Sequence, residues 1–332
     1  MWFVKKRIRF IIMAMTESDY YSSCTLCPNL CRVDRTCGTL GRCRQSDRVK
    51  IAWVGLHRGE EPPLVGKKGS GMVFFTGCPL HCAYCQNRQI SGSDGENWGI
   101  EVSVEELSAL FMDLQKMGAE TLNLVTGTHF IPSIVNALDS AKSSGFRLPV
   151  VWNSSGYETP EALALIDDCI DLYLLDCKSL SRNVCKVFCG LGHYADVIVP
   201  VMDWIKQKHP VTDLERIKGT ILRHLVFPGT VNQSKRFLEY FASHYRDNFY
   251  LSLMSQFVPP KEDPSLTAIS DEEYDELVTL VEDLGIENGF IQEKSDDDIL
   301  WIPDFSEDVP FPASFADASE LFLKMKKERT TV

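Results

Sequence analysis

The chain has 332 residues, 44% of them hydrophobic and 24% charged, which is material for one large domain or two ordinary ones and excludes a disordered chain. Its 34 Lys and Arg stand against 46 Asp and Glu, a net charge of -12 that repels phosphate and excludes nucleic acid or an anionic membrane as the main partner. Twelve cysteines, bunched in short spacings, point to metal binding in a reducing compartment, the cytoplasm, and not to a small disulfide scaffold.

In chain order, residues 1–22 read as a disordered leader. Lys5, Lys6, Arg7 and Arg9 before the apolar run Phe10 to Met15 imitate a signal peptide, but the run is too short and no small-residue cleavage site follows. Nowhere does an apolar stretch approach the roughly eighteen residues of a spanning helix, so no membrane is expected. Residues 23–50 form a Cys-rich module and 51–72 a Gly- and Pro-rich linking segment. From residue 73 a rhythm begins, with strand-like apolar runs at 73–76, 121–126, 149–154, 171–176, 220–228 and 249–255 separated by helix-length stretches.

Helix punctuation supports that rhythm. Ser103 and Glu106 make a capping box before an apolar face that stops at Gly118, Thr159-Pro160 opens a second helix, and Ser270 with Glu273 boxes a third that stops at Gly285. Strands alternating with helices predict an α/β protein with a parallel sheet over 73–295, either doubly wound or a partial barrel. The tail, 296–332, with Asp296-Asp297-Asp298 and later Phe305, Phe311 and Phe315, reads as a partly ordered wrap over the surface.

The sharpest motif is Gly77-Cys78-Pro79-Leu80-His81-Cys82-Ala83-Tyr84-Cys85-Gln86-Asn87, three cysteines spaced C-x3-C-x2-C directly after the first predicted strand. A cubane iron-sulfur cluster wants one thiolate on each of its irons, so three cysteines leave one iron open to another ligand. His81 is read as solvated rather than as that ligand. Upstream, Cys24-x2-Cys27-x3-Cys31-x5-Cys37-x5-Cys43 reads as knuckles that wrap a metal, and spacing does not separate zinc from a second [4Fe-4S] cluster. Cys169, Cys177, Cys185 and Cys189 read as core thiols, although Cys185-x3-Cys189 also has metal-like spacing.

The spacing of Cys78, Cys82 and Cys85, with Tyr84 before the third, resembles the radical S-adenosylmethionine (SAM) superfamily. Gly69 to Phe75, Cys85-Gln86-Asn87, Leu56 to Pro62 and Met254-Ser255-Gln256-Phe257 resemble its pyruvate formate-lyase activating enzyme-like group. The resemblance implies a partial (β/α)6 barrel of the TIM type with the small Cys-rich module in front of it. It further implies a [4Fe-4S] cluster on Cys78, Cys82 and Cys85 whose open iron chelates SAM, an electron donor such as flavodoxin or ferredoxin, and a 5'-deoxyadenosyl radical that abstracts hydrogen. The substrate is either a glycyl-radical enzyme to be activated, another protein or a small molecule. A different class of reading, an iron-sulfur electron-transfer or scaffold protein, involves no SAM cleavage.

By the same resemblance, Tyr84 and Asn87 lie near the adenine and the methionyl group, Lys178 pairs with the methionyl carboxylate, Asp176 and Asn153 approach the sulfonium, and Ser155 and Arg223 belong to the same pocket. The usual Gly-Gly-Glu segment after the second strand is replaced by Thr126-Gly127-Thr128-His129, whose hydroxyls and carbonyls would accept from the SAM ammonium. His129 either faces the substrate or caps the next helix. Relatives carry the upstream pattern through Cys24, Cys27, Cys31 and Cys43, which makes Cys37 supernumerary. Glu60 and Glu61 are either a solvated acidic turn or a substrate-side pair.

Overall fold

The computed structural model describes residues 16–92, 98–259, 267–293 and 302–330. Most of the expected leader and Asp296-Asp297-Asp298 lie outside them, whereas Glu17–Ser22 forms a helix whose Tyr21 is buried against Ser133 (2.7 Å between hydroxyls). Nine strands make one sheet: β1 (Val49–His57), β2 (Ser70–Phe75), β3 (Ile100–Val102), β4 (Leu122–Val125), β5 (Val150–Ser154), β6 (Leu172–Asp176), β7 (Gly219–Leu225), β8 (Tyr250–Met254) and β9 (Gly289–Ile291). Their order is β3-β1-β2-β4-β5-β6-β7-β8-β9. β1 runs antiparallel to β2 and β3, and every pairing from β2 to β9 is parallel. The sheet is a partial barrel, curled with helices outside and not closed.

The six predicted strands are all present, and β1, β3 and β9 are additions. β3 and β9 have three residues each, too few for an alternation to register. β1 occupies the expected linker, where the surrounding Gly and Pro obscured a run that is buried at most of its nine positions. Helix ends follow their chemistry. At Ser103 both bonds of the box form, Glu106 N–H donating to Ser103 Oγ (3.1 Å) and Ser103 N–H to Glu106 Oε2 (2.8 Å). Helix Val104–Met117 then stops at Gly118 with φ 85°. The box at Ser270 and Glu273 likewise opens helix Asp271–Asp283.

Period-two alternation decides what faces the inside of the barrel. Val151, Leu172, Leu174 and Ile221 form an apolar cluster with Leu64, which is fully buried. Leu64 belongs to the short helix Pro62–Val65 between β1 and β2, so this segment plugs the end of the barrel at which the parallel strands begin. One or two rungs higher on the same faces stand Asn123 and Val125, Asn153, Asp176, Arg223, and Ser252 and Met254. Apolar packing thus closes the bottom, and polar side chains line the space above it.

The chain's last described segment walls that space. Arg58 N–H donates to the Phe315 carbonyl (2.7 Å), its guanidinium to the Ala313 carbonyl (2.7 Å), and it pairs with Asp317 (2.9 Å). Phe311 packs edge-on against Trp53 (4.9 Å) and His57 (4.8 Å), while Phe315 stacks on His57 (6.1 Å). No helix among the described residues is long and apolar enough to cross a membrane.

Candidate active site

β2 ends at Phe75, and Thr76-Gly77 turns the chain into the cysteine loop. Gly77 has φ 91°, and a Cβ there would lie 2.6 Å from the Cys43 carbonyl oxygen, so only glycine lets the loop press on the N-terminal module. The loop is held by Gly77 N–H to Ile90 O (2.7 Å), Ala83 N–H to Phe188 O (2.9 Å) and Cys85 N–H to Cys82 O (3.2 Å). Cys78, Cys82 and Cys85 all line one cavity of about 500 Å³ at the C-terminal ends of the parallel strands. Burial pushes the Cys78 thiol up to about 11 and the Cys85 thiol to about 12. Cys82 is raised further, first by a hydrogen bond with the buried Cys189 thiol and then by burial. Bare, these sulfurs hold their protons, and a metal's charge is what would make them thiolates. His81, at φ 63°, does not line the cavity.

Tyr84, Asn87, Thr126, Asn153, Ser155, Asp176, Lys178 and Arg223 line that same cavity. Lys178 Nζ pairs with Asp176 Oδ2 at 2.6 Å, and burial, which alone would lower its affinity for the proton, is outweighed by Asp176 and the Cys82 sulfur. Two expected contacts are corrected. Gly127 and Thr128 do not line the cavity: the Thr128 hydroxyl donates to Glu158 Oε1 (2.7 Å) in the core, and the space beside the Gly127 Cα belongs to Ile134 and Trp152. The left-handed φ of 58° at Thr126 turns the following residues away from the site. A Gly127→Ala methyl would meet Ile134 Cδ1 at 2.7 Å. We predict a loss of about 1 to 3 kcal/mol in denaturant unfolding, an overpacking cost, with the cavity-facing residues unmoved.

His129 fits neither expectation. It is buried, its Nε2 donates to the Thr76 carbonyl (2.7 Å), and burial with the nearby Arg35 pushes it down to about 3, so it is a neutral strut between β2 and β4. Arg223 lines the cavity and is also tied to its floor. Its Nε donates to Glu61 Oε1 (2.7 Å) and its Nη2 to Glu61 Oε2 (2.6 Å) and Glu60 Oε2 (2.7 Å), so two carboxylates from the plug hold the guanidinium on the cavity floor. The carboxylate side chains are 8% and 6% exposed, which rules out a solvated turn.

In the N-terminal module, Cys24, Cys27, Cys31 and Cys43 are brought together. A Cβ on Gly41 would lie 3.4 Å from Cys31 Sγ and 3.8 Å from Cys43 Sγ, and the Cys27 thiol is pushed up to about 12 by burial, with Cys43 and Cys24 adding to the rise. Cys37 is exposed and bonds to the Asp34 carbonyl and the Thr39 hydroxyl. Beneath the four lies Arg35, fully buried, donating to the Gln45, Ser46 and His129 carbonyls and to Cys24 Sγ (3.6 Å), with its guanidinium carbon 4.7 Å from the Tyr21 ring centre. No carboxylate among the described residues pairs with it. Cys169, Cys177, Cys185 and Cys189 are buried in the core, Cys185 donating to the Ser179 carbonyl (3.2 Å).

A sequence profile of the radical SAM superfamily matches residues 72–241, from β2 and the cysteine loop through β7 into the helix Val231–His244. The chain belongs to the radical SAM superfamily. Among curated proteins it is similar to an uncharacterized protein of Methanocaldococcus jannaschii, 28% identical over 275 residues, 80% of this chain and 75% of that one. Among solved structures it is similar to a domain of pyruvate-formate lyase-activating enzyme from Bacteroides vulgatus (16% identity, 49% of this chain and 91% of that one, TM-score 0.37). It is also similar to a radical SAM methyltransferase from Sphaerobacter thermophilus (12% identity, 70% and 68%, TM-score 0.47).

Membership in the radical SAM superfamily implies a [4Fe-4S] cluster and SAM. The residues present fit both. Three thiols facing one cavity leave a cubane with one corner unclaimed by protein sulfur, and the balanced pair Lys178 and Asp176 offers opposite charges to a zwitterionic amino acid head. Among the described residues no three His, Cys, Asp or Glu side chains form a group that could hold a single metal ion. Sequence reasoning missed the wall residues Phe74, Met72, Phe311 and Phe315, and Tyr194, whose hydroxyl sits 2.7 Å from the Asp176 carbonyl and 2.8 Å from the Ser155 carbonyl, tying the ends of β5 and β6.

Proposed function

We propose that this protein is an oxidoreductase of the cytoplasm that reductively cleaves SAM at a cluster held by Cys78, Cys82 and Cys85, the bound pair supplying a 5'-deoxyadenosyl radical for hydrogen abstraction from a small molecule. The observation that carries the reading is the sharing of one cavity by those three thiols and the polar ends of β4, β5 and β6. Lys178 and Asp176 bind and orient the methionyl head, Asn153, Ser155 and Thr126 complete its polar ring, and Tyr84 and Asn87 flank the adenine. Phe74, Met254, Phe311 and Phe315 exclude water, which a reactive carbon radical requires.

A small substrate is the reading taken over a glycyl-radical enzyme, with Pro303, Phe311 and Phe315 lining the cavity beside the cysteine loop. The module of Cys24, Cys27, Cys31 and Cys43 is read as a second metal centre, zinc or a [4Fe-4S] cluster. Four thiolates there supply the negative charge that the buried Arg35 otherwise lacks. A cluster there would relay electrons from a flavodoxin or ferredoxin, whereas zinc would only stabilise the fold.

The test is anaerobic reconstitution with iron and sulfide, reduction with dithionite, and measurement of 5'-deoxyadenosine. Formation of the nucleoside dependent on SAM supports the enzyme. Its absence from a fully loaded chain leaves the electron-transfer or scaffold reading. Metal analysis of the protein lacking Cys78, Cys82 and Cys85 reports on the second centre, iron identifying a cluster, zinc a structural ion, and neither metal contradicting the reading.

A further inference from the structure

We propose that Glu60, on the cavity floor, anchors a substrate through an ammonium or guanidinium group carried on an apolar stem, an inference that rests on the radical SAM reading of the cavity. The floor holds two carboxylates and one guanidinium. Glu61 spends both oxygens on Arg223, and Glu60 Oε2 accepts from Arg223 Nη2 (2.7 Å), with Asn123 Nδ2 (3.4 Å) and Asn153 Nδ2 (3.5 Å) beside it. Glu60 Oε1 receives no hydrogen bond from any described residue.

His57 Nδ1 lies 3.7 Å from it and already accepts the Gly59 N–H (3.2 Å), so it presents no proton to Oε1. Burial, Arg223 and Arg58 push His57 down to about 4, which leaves the ring neutral. At the cluster end Lys178 and Asp176 balance each other. Counted as ionised groups, Glu60, Glu61 and Arg223 leave one negative charge over, on a side chain 8% exposed that lines the cavity. Burial and Glu61 raise the Glu60 carboxyl above its ordinary value, and a cation beside it would oppose that rise. A carboxylate oxygen that faces the cavity without a protein donor is open to a donor from a ligand, and a cationic donor there also answers its charge. Phe74, Phe311 and Phe315 stand around it as an apolar and π-rich wall for the stem.

The experiment is calorimetric titration of the anaerobically reconstituted holoenzyme with SAM saturating. The probes are phenethylammonium and phenethylguanidinium, the neutral 2-phenylethanol and the anionic 3-phenylpropanoate. At least about tenfold tighter binding of the cations than of the alcohol, and loss of that ratio in Glu60→Gln, are expected. Equal binding of ammonium and alcohol, an unchanged ratio in Glu60→Gln, or cation binding that SAM abolishes would overturn the proposal. Should Glu60→Gln not fold, the wild-type ratio alone decides. Short peptides containing Lys or Arg distinguish a side chain from a free amine as the source of the cation. Formation of 5'-deoxyadenosine without added amine is a separate readout, so an enzyme that cleaves SAM yet ignores charge keeps the radical reading and loses this one.

Discussion

Replacing Cys82 by alanine is expected to bring 5'-deoxyadenosine formation to background and to lower the iron content of the reconstituted chain by about four atoms. Cys82 is the middle member of the C-x3-C-x2-C loop, and its sulfur touches that of Cys189, a fully buried residue outside the motif. If Cys189 took over as a ligand, iron would stay bound in Cys82→Ala and fall only in the Cys82→Ala/Cys189→Ala double variant. The account predicts loss in the single variant, because a buried thiol fixed at the end of helix Arg182–Phe188 cannot move into the loop without unpacking Phe188. Cys37→Ala is the matched control. The thiol is exposed and bonds to the Asp34 carbonyl and the Thr39 hydroxyl, and its removal should change neither iron nor turnover.

The second large effect concerns stability. Arg223→Met is expected to cost about 3 to 5 kcal/mol in denaturant unfolding, because it strands the Glu60 and Glu61 carboxylates in a nearly closed floor. Glu60 is already raised above the ordinary carboxylate value, by burial first and by Glu61, with Arg223 opposing both. Without the guanidinium the rise is larger. An acid whose folded-state value is raised favours the folded chain when protonated, so the variant's deficit should be smallest at acid pH and grow as pH rises from the ordinary carboxylate range toward neutrality. A deficit independent of pH would show that the ion triad does not bear the load. Converting Glu60 and Glu61 to Gln in the Arg223→Met background should recover part of the loss.

Local signals carried the scaffold. Each helix stop at Gly118 and Gly285 and each box at Ser103 and Ser270 is a matter of a few adjacent atoms, and the six predicted strands are continuous apolar runs, most of them buried at nearly every position. The cysteine loop was legible for the same reason. What escaped the sequence depends on pairs far apart in the chain. Arg223 meets Glu60 across 163 positions, and Leu64 finds Val151, Leu172 and Ile221 only once the barrel has curled.

Position at a strand end also proved insufficient by itself. Thr126, Gly127 and Thr128 follow β4 together, yet the left-handed turn at Thr126 sends Thr128 into the core toward Glu158. Alternation fixes facing within a strand and says nothing about the first residue beyond it. The tail shows the complementary gap. Phe311 and Phe315 were visible as apolar residues in a polar segment, but that they wall the cavity depends on Arg58, which gathers the backbone carbonyls of Ala313, Ser314 and Phe315.

The central claim is that Cys78, Cys82 and Cys85 hold a cluster with one iron open to SAM. Electron paramagnetic resonance of the dithionite-reduced, anaerobic protein, recorded before and after adding SAM, tests it most directly. The account predicts a reduced-cluster spectrum whose g values shift when SAM is added, with the shift lost in Cys82→Ala. A spectrum of the loaded wild-type protein that is identical with and without SAM would contradict it.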